Sequence, residues 1–250
     1  MLNMNYLTRI LIALPLILQG LYAQSNSIFI GANGGVNFSK FKHTVDLAEL
    51  YSRSSTLTGL NGGITAGFQI HNFTLSTGLN YLQKGGHYET DNFQDALGTG
   101  FFSADERLHY LSVPLLLGYR QPVNRHFGFS LAMGPSFNMG LGGKIDEEIE
   151  YFGSEEVSTQ NHTVRFGSGL NDDYRKMQMG FQFSPGLYYA FNDKSKLTLN
   201  ATWDSGLSDS FNERYKKANA FFSDYRGNQF NRSTILTIGY EYHFSFQDKY

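Results

Sequence analysis

The sequence predicts an all-β fold: an eight-stranded antiparallel transmembrane β-barrel with up-and-down meander order. Three observations carry this reading. Apolar and small polar residues alternate with a period of two along eight segments. The connections between those segments alternate short and long, and aromatic residues gather at the strand ends beside the short ones. The 250 residues include 27 Gly, 22 Phe and 16 Tyr but only 17% charged side chains, a balance suited to pleated strands with close backbone approaches.

Ahead of the strands lies an export signal. "MLNMNYLTR" holds one cation, Arg9; "ILIALPLIL" (Ile10–Leu18) is an apolar core; "QGLYA" ends on Ala23. This is the layout of a signal peptide over residues 1–23, cleaved after Ala23. Nine apolar residues interrupted by Pro15 are too few to span a hydrocarbon layer of roughly 30 Å as a helix. Residues 24–250 then form one barrel domain.

The predicted strands fall at 27–39, 58–70, 73–84, 108–120, 126–142, 176–191, 196–207 and 232–246. In the first, "SIFIGANGGVNFS", glycines blur both phases. The second sets Leu60, Ile64, Phe68 and Ile70 against Asn61, Thr65 and Gln69. The third sets Phe73, Leu75, Leu79 and Tyr81 against Thr74, Ser76 and Asn80. "LHYLSVPLLLGYR" is apolar on both faces in its middle. The fifth opposes Phe127, Phe129, Leu131, Met133, Phe137 and Met139 to Gly128, Ser130, Ala132, Ser136 and Asn138, and "MQMGFQFSPGLYYAF" and "KLTLNATW" repeat the dyad. The last places Ile238, Tyr240, Tyr242 and Phe244 opposite Thr237, Gly239, Glu241 and His243. Pro114, Pro135 and Pro185 sit inside strands, where each removes a ladder donor, and predict bulges or bends.

Short turns ("HN", "QPVNR", "NDKSK") follow strands two, four and six; long polar loops follow the others, one running from about Gly143 to Arg175. The second face of the strands is mostly Gly, Ser, Thr, Asn and Gln, side chains that fill the narrow interior of an eight-stranded barrel. The bulky face must then look outward, which is intolerable in water and required in lipid. Phe68, Phe73, Tyr119, Phe127, Tyr189, Phe191, Tyr242 and Phe244 would form a girdle at the periplasmic interface, with Trp203, Tyr81 and Phe137 near the other rim.

Composition and spacing point away from several chemistries. There is no cysteine, so disulfides, thiolate metal sites and catalytic thiols are excluded, and a net charge of −2 supplies no field to recruit nucleic acid. "GANGGVNF" has clustered glycines but no helix after it to hold a phosphate. The seven histidines lack metal-ligand spacing; His71 and His126 at turns and His43, His87 and His162 in loops read as solvated. No catalytic, cofactor-binding or metal residue is assigned, and no cofactor is expected.

Inward ionisable groups are more informative. By parity they are Arg120, Asp204, Glu241 and Lys84. Arg120 and Glu241 fall near the periplasmic end, where they either pair across the lumen and plug it or reach periplasmic water separately. The loop "KIDEEIEYFGSEE" carries Asp146, Glu147, Glu148, Glu150, Glu155 and Glu156; "NERYKKANAFFSDYRGNQFNR" carries Arg214, Lys216, Lys217, Arg226 and Arg232. These loops could clamp together, take divalent cations and lipopolysaccharide phosphate or a partner, or stay separately hydrated.

"GANGGVNFSKF", "GLNGGITAGFQ", "LSTGLNYLQKGG", "LHYLSVPLLLGYR", "LAMGPSFNMGLGGK" and "LTIGYEYHF" together make the chain resemble the PorT-like outer-membrane β-barrel family of Bacteroidetes-type bacteria. The resemblance implies a cell-envelope location in a Gram-negative outer membrane, with lipid and lipopolysaccharide around the barrel. It also implies contact with the barrel-assembly machinery, whose signal Thr237, Gly239, Tyr242 and Phe244 are similar to. The family's namesake serves protein secretion, which implies secretion-system components as partners. The function expected is a non-enzymatic structural or interaction role accessory to secretion. The alternatives are a small-solute pore or a surface hydrolase acting on lipid or peptide.

Overall fold

The computed structural model describes residues 26–44, 53–94, 98–153, 157–212 and 228–245. The expected leader and its cleavage site at Ala23 lie outside them. The strands are β1 (Ser27–His43), β2 (Arg53–Ser55), β3 (Leu57–Ile70), β4 (Phe73–Gln94), β5 (Thr99–Pro122) and β6 (Phe127–Tyr151). They continue with β7 (Val157–Val164), β8 (Phe166–Gly167), β9 (Tyr174–Arg175), β10 (Met177–Ala190), β11 (Ser195–Gly206) and β12 (Gln229–Ser245).

Eight of these form the ring β1-β3-β4-β5-β6-β10-β11-β12, every neighbour antiparallel. β12 returns to β1 along its length, from Ser27 opposite Ser245 to His43 opposite Gln229. The closing strand therefore has ladders on both sides, and no edge of the ring is left for lipid to meet.

Period-two alternation decides which side faces out. Leu60, Ile64, Leu117 and Leu199 are exposed on the outer wall, while Asn37, Ser39, Ser112 and Ser136 are buried along the axis. From Phe73 to Tyr81 is nine residues of β4, the length of a tilted strand crossing a hydrocarbon layer. Below that belt the rings crowd as pairs: Phe73–Tyr119 at 5.4 Å, Phe127–Tyr189 at 4.9 Å and Tyr242–Phe244 at 4.9 Å between centroids.

The turns at this end are built by small residues. His71, with a left-handed φ of 54°, makes the two-residue reversal between β3 and β4. Asn124 accepts from the amides of His126 and Phe127, and Asn192 accepts in the same way from Lys194 and Ser195.

Three expectations are corrected. The prolines do not shift the register: Thr77 lies opposite Leu115 before the gap at Pro114 and Asn80 opposite Ser112 after it. A proline takes away a donor without adding a residue, so pairing lapses and resumes in phase. The bulge between β5 and β6 lies where a residue is added, Leu141, between Gly140 opposite Tyr110 and Gly142 opposite His109. Second, the predicted loop from Gly143 onward is strand as far as Tyr151. Its backbone is satisfied by β5 on one side and β7 on the other, which outweighs the poor strand propensity of its glutamates. Third, His43, His87 and His162 lie in strands and are hydrogen-bonded to Tyr88, Asp105 and Asp173.

β4, β5 and β6 thus run on for about ten residues past the belt, roughly 3.3 Å each along the strand. With β7 added at one edge and β2 at the other they form a raised sheet at the long-loop end. An apolar cluster fills the outer mouth beneath it, including Leu108, Tyr110, Tyr174, Phe211 and Phe41.

Candidate functional site

Two surfaces hold the polar groups that could do work: the lumen and the raised sheet. Along the axis, β5 and β12 bring Arg120 and Glu241 together in a two-pronged bond, both contacts 2.8 Å. Glu241 also meets His243 Nε2 at 3.2 Å, and His243 Nδ1 meets Ser27 Oγ at 3.1 Å. The guanidinium lies 4.9 Å from the Phe29 ring centre, which itself stacks on His243. Lys196, on β11, sits over the Tyr188 ring. These groups close the short-turn end.

At the other end Lys84 of β4 reaches across to Asp204 of β11 at 2.5 Å, both side chains almost fully buried. Ser136 donates to the other Asp204 oxygen at 3.2 Å. Above this pair Tyr174 donates its hydroxyl to buried Glu106. Asn231 donates to Gln178 at 2.8 Å, and Gln178 to Tyr110 at 3.1 Å. The segment carrying β8 and β9 folds into the mouth, where Phe166 meets Tyr110 edge-on and Tyr174 stacks on Phe211.

Between the two charged layers lies a cavity of about 150 Å³ lined by Asn33, Asn61, Thr65, Ser112, Ser184 and Thr202, among others. Asn61 and Ser112 present buried polar atoms without a protein partner, and a polar space of this size accommodates several waters. Glu106 and Lys196 join the lumen although sequence reasoning missed them. Glu106 lies two residues ahead of the strand predicted from 108, and Lys196 is the first residue of the strand predicted from 196; β4 lies beside the one and β12 beside the other.

Arg120→Ala is expected to cost about 3 kcal/mol of stability, because it leaves the buried Glu241 carboxylate without its guanidinium. Urea unfolding in micelles checks this. The pair of changes Arg120→Ala with Glu241→Gln should recover most of the loss; a single variant as stable as the parent would contradict the pairing.

On the outer face of the raised sheet, Asp146, Glu148 and Glu150 alternate along β6 with Glu147, which faces the other way. Asp146 lies directly opposite Asp105, a repulsive pair relieved by Lys144 at 2.5 Å and Arg107 at 2.7 Å. His87 bridges Asp105 at 2.6 Å and Glu89 at 3.0 Å, and Arg53 contacts Asp91 at 3.2 Å. Arg214, Lys216, Lys217, Arg226, Glu155 and Glu156 lie outside the described residues, and the expected clamp between the two loops lies there with them. Gly239, Tyr242 and Phe244 lie on β12, with Gly239 opposite Asn33 and Thr198 and the two rings on the outer wall. No group of three or more metal-ligating side chains occurs among the described residues.

Partial burial alone would lower the pKa of His87, but hydrogen bonds and charge from Glu89 and Asp105 outweigh it and raise the value above 6.5. The stabilisation from protonated His87 is therefore complete below 6.5 and fades as the pH climbs through the folded-state value. Amides of residues 85–89 and 103–107 should exchange faster at about pH 8 than at about pH 5 after correction for intrinsic rates. His87→Gln should remove that difference.

The sequence matches the outer membrane protein beta-barrel domain family over residues 22–212. Among curated protein sequences, none matches the chain. Among solved structures, the chain is similar to Neisserial surface protein A at 14% identity, covering 88% of this chain and 100% of that one, with a TM-score of 0.45. OprG from Pseudomonas aeruginosa is similar at 14% identity, with 90% and 99% covered and a TM-score of 0.41. The outer membrane protease OmpT from Escherichia coli is similar at 10% identity, with 90% and 100% covered and a TM-score of 0.36. The family match takes in most of the ring and the lumen pairs Lys84–Asp204 and the arginine of Arg120–Glu241, so the chain belongs to the outer membrane protein beta-barrel domain family and is a protein of the bacterial outer membrane.

Proposed function

We infer that the protein is a non-conducting, non-enzymatic barrel whose working surface is the raised extracellular sheet. The observation supporting this most is the lumen, stoppered by Arg120–Glu241 below and by Lys84–Asp204 and the aromatic cluster above. Six buried or half-buried charges there, Lys84, Arg120, Lys196, Asp204, Glu106 and Glu241, balance one another and offer a passing ion no net attraction. The sheet above is a rigid scaffold carrying ordered charges, the arrangement that interaction surfaces commonly use.

The resemblance to PorT-like barrels extends this reading to an accessory role in protein secretion. The chain would be exported with loss of residues 1–23 and folded by the barrel-assembly machinery through Gly239, Tyr242 and Phe244. Two measurements test it. Planar bilayers holding the purified barrel should show no discrete conductance steps; steps carrying small solutes would replace this reading with a pore. Deleting the gene should alter the set of secreted proteins, and an unchanged set would remove the secretion role. Hydrolysis of lipid or peptide that disappears with a single substitution would make it an enzyme.

A further inference from the structure

On the outer wall at the closing seam, Lys40 of β1 lies directly opposite Arg232 of β12, and Arg232 lies opposite Ser205 of β11. One row nearer the lipid, Phe38 is opposite Thr234, and Thr234 opposite Trp203. Like charges facing each other across strands repel. On the raised sheet, by contrast, Arg107 is matched by Asp105, Lys144 by Asp146 and Arg53 by Asp91. Lys40 and Arg232 have no carboxylate partner among the described residues, and Asp204, on the neighbouring β11, turns inward to Lys84. Between them opens a groove of about 460 Å³, lined also by Thr56, Ser205 and Asp204, whose two carboxylate oxygens are taken by Lys84 and Ser136, and floored by Phe38 and Trp203.

Depth decides what such a groove would meet. Trp203 is exposed on the lipid side with Leu236 below it, and aromatic rings of this kind sit at the headgroup level. Two residues farther along a strand is about 7 Å, which sets the two cations at the level of the outer-leaflet phosphates. The apolar wall beneath, Val36, Leu60 and Leu236, is one continuous row across three strands. We propose that this groove is a binding site for a phosphorylated glycolipid of the outer leaflet, its phosphate held between Lys40 and Arg232 and its acyl chains laid on the row below. The guanidinium supplies a planar fork for the phosphate oxygens and the hydroxyls of Ser205 and Thr56 complete the polar rim. The proposal rests on the outer-membrane placement and is independent of the role given to the raised sheet.

Diphosphorylated lipid A, added to the purified barrel in zwitterionic detergent, is the probe. Its binding should shift the emission of Trp203, the chain's only tryptophan, whereas fully dephosphorylated lipid A should not. Lys40→Gln and Arg232→Gln, each confirmed as folded by its heat-dependent gel mobility, should weaken binding by roughly tenfold. Lys176→Gln, which changes a cation outside the groove, should leave it unchanged. Parent-like affinity in either groove variant would overturn the site, as would an equal response to the dephosphorylated lipid. Inorganic phosphate producing the same shift at the same concentration would overturn the lipid assignment and leave a free-anion site. The parent measurement reports even if a variant fails to fold.

Discussion

Lys84→Met is expected to lower the unfolding free energy by about 3–5 kcal/mol, a large share of the stability of a small barrel. The substitution keeps the volume of the side chain and removes its charge. Asp204 is then left with the Ser136 hydroxyl at 3.2 Å as its remaining hydrogen-bond donor, on a side chain only 1% exposed. Losing one member of a buried pair costs more than losing both, since the surviving charge has no water to turn to. Asp204→Asn in the Lys84→Met background should therefore regain more than half of the deficit. Urea unfolding in detergent micelles, followed by the mobility of unheated samples on gels, measures both. Equal stability of the parent and the single variant would show that Asp204 is solvated and the outer layer of the lumen open.

The second large effect belongs to the opposite face. Leu115 stands halfway along β5 between Tyr119, beside the periplasmic turn, and Leu111, opposite Tyr81 at the outer rim. Leu115→Arg should cost about 2–4 kcal/mol of folding free energy in a bilayer, because the guanidinium would sit at mid-depth in hydrocarbon. The same change at Tyr119 should cost about 0–1 kcal/mol, since a side chain at the rim snorkels to the headgroups. A soluble barrel would give no such dependence on depth.

These two positions also mark what the sequence makes legible. Leu60, Ile64 and Leu199 belong to a period-two pattern readable without coordinates, whereas Leu115 lies in a stretch apolar on both faces and takes its outward direction from the ladders with β4 and β6. Lys84 and Asp204 stand out because a charge in a phase of Ser, Thr and Asn has to be inside. Glu106 carries no such mark, because it lies two residues ahead of the predicted strand and shares its phase with the apolar Leu108 and Tyr110. Lys196 does carry it, on the phase of Thr198 and Asn200 against Leu197 and Leu199, but its place at the first residue of the strand hides it beside the polar turn. The stretch Lys144–Glu150 was hidden for another reason: "KIDEEIE" has the composition of a hydrated loop, and its strand geometry comes from β5 and β7 on either side. Pairing partners far along the chain override local preference there. The prolines mislead in the same way, since the loss of a donor is visible in the sequence but the tolerance of a ladder gap is not.

The rest of the account depends on the bulky face meeting acyl chains, and the absence of cysteine makes that directly measurable. Single cysteines at positions 112, 113, 115, 116, 117 and 118 of β5, each labelled with a small fluorophore, would be reconstituted into vesicles of lipids brominated on their acyl chains. Strong quenching at 113, 115 and 117 with little at 112, 116 and 118 is the predicted result. Strong quenching at 112, 116 and 118 instead, or none at any position, would contradict it.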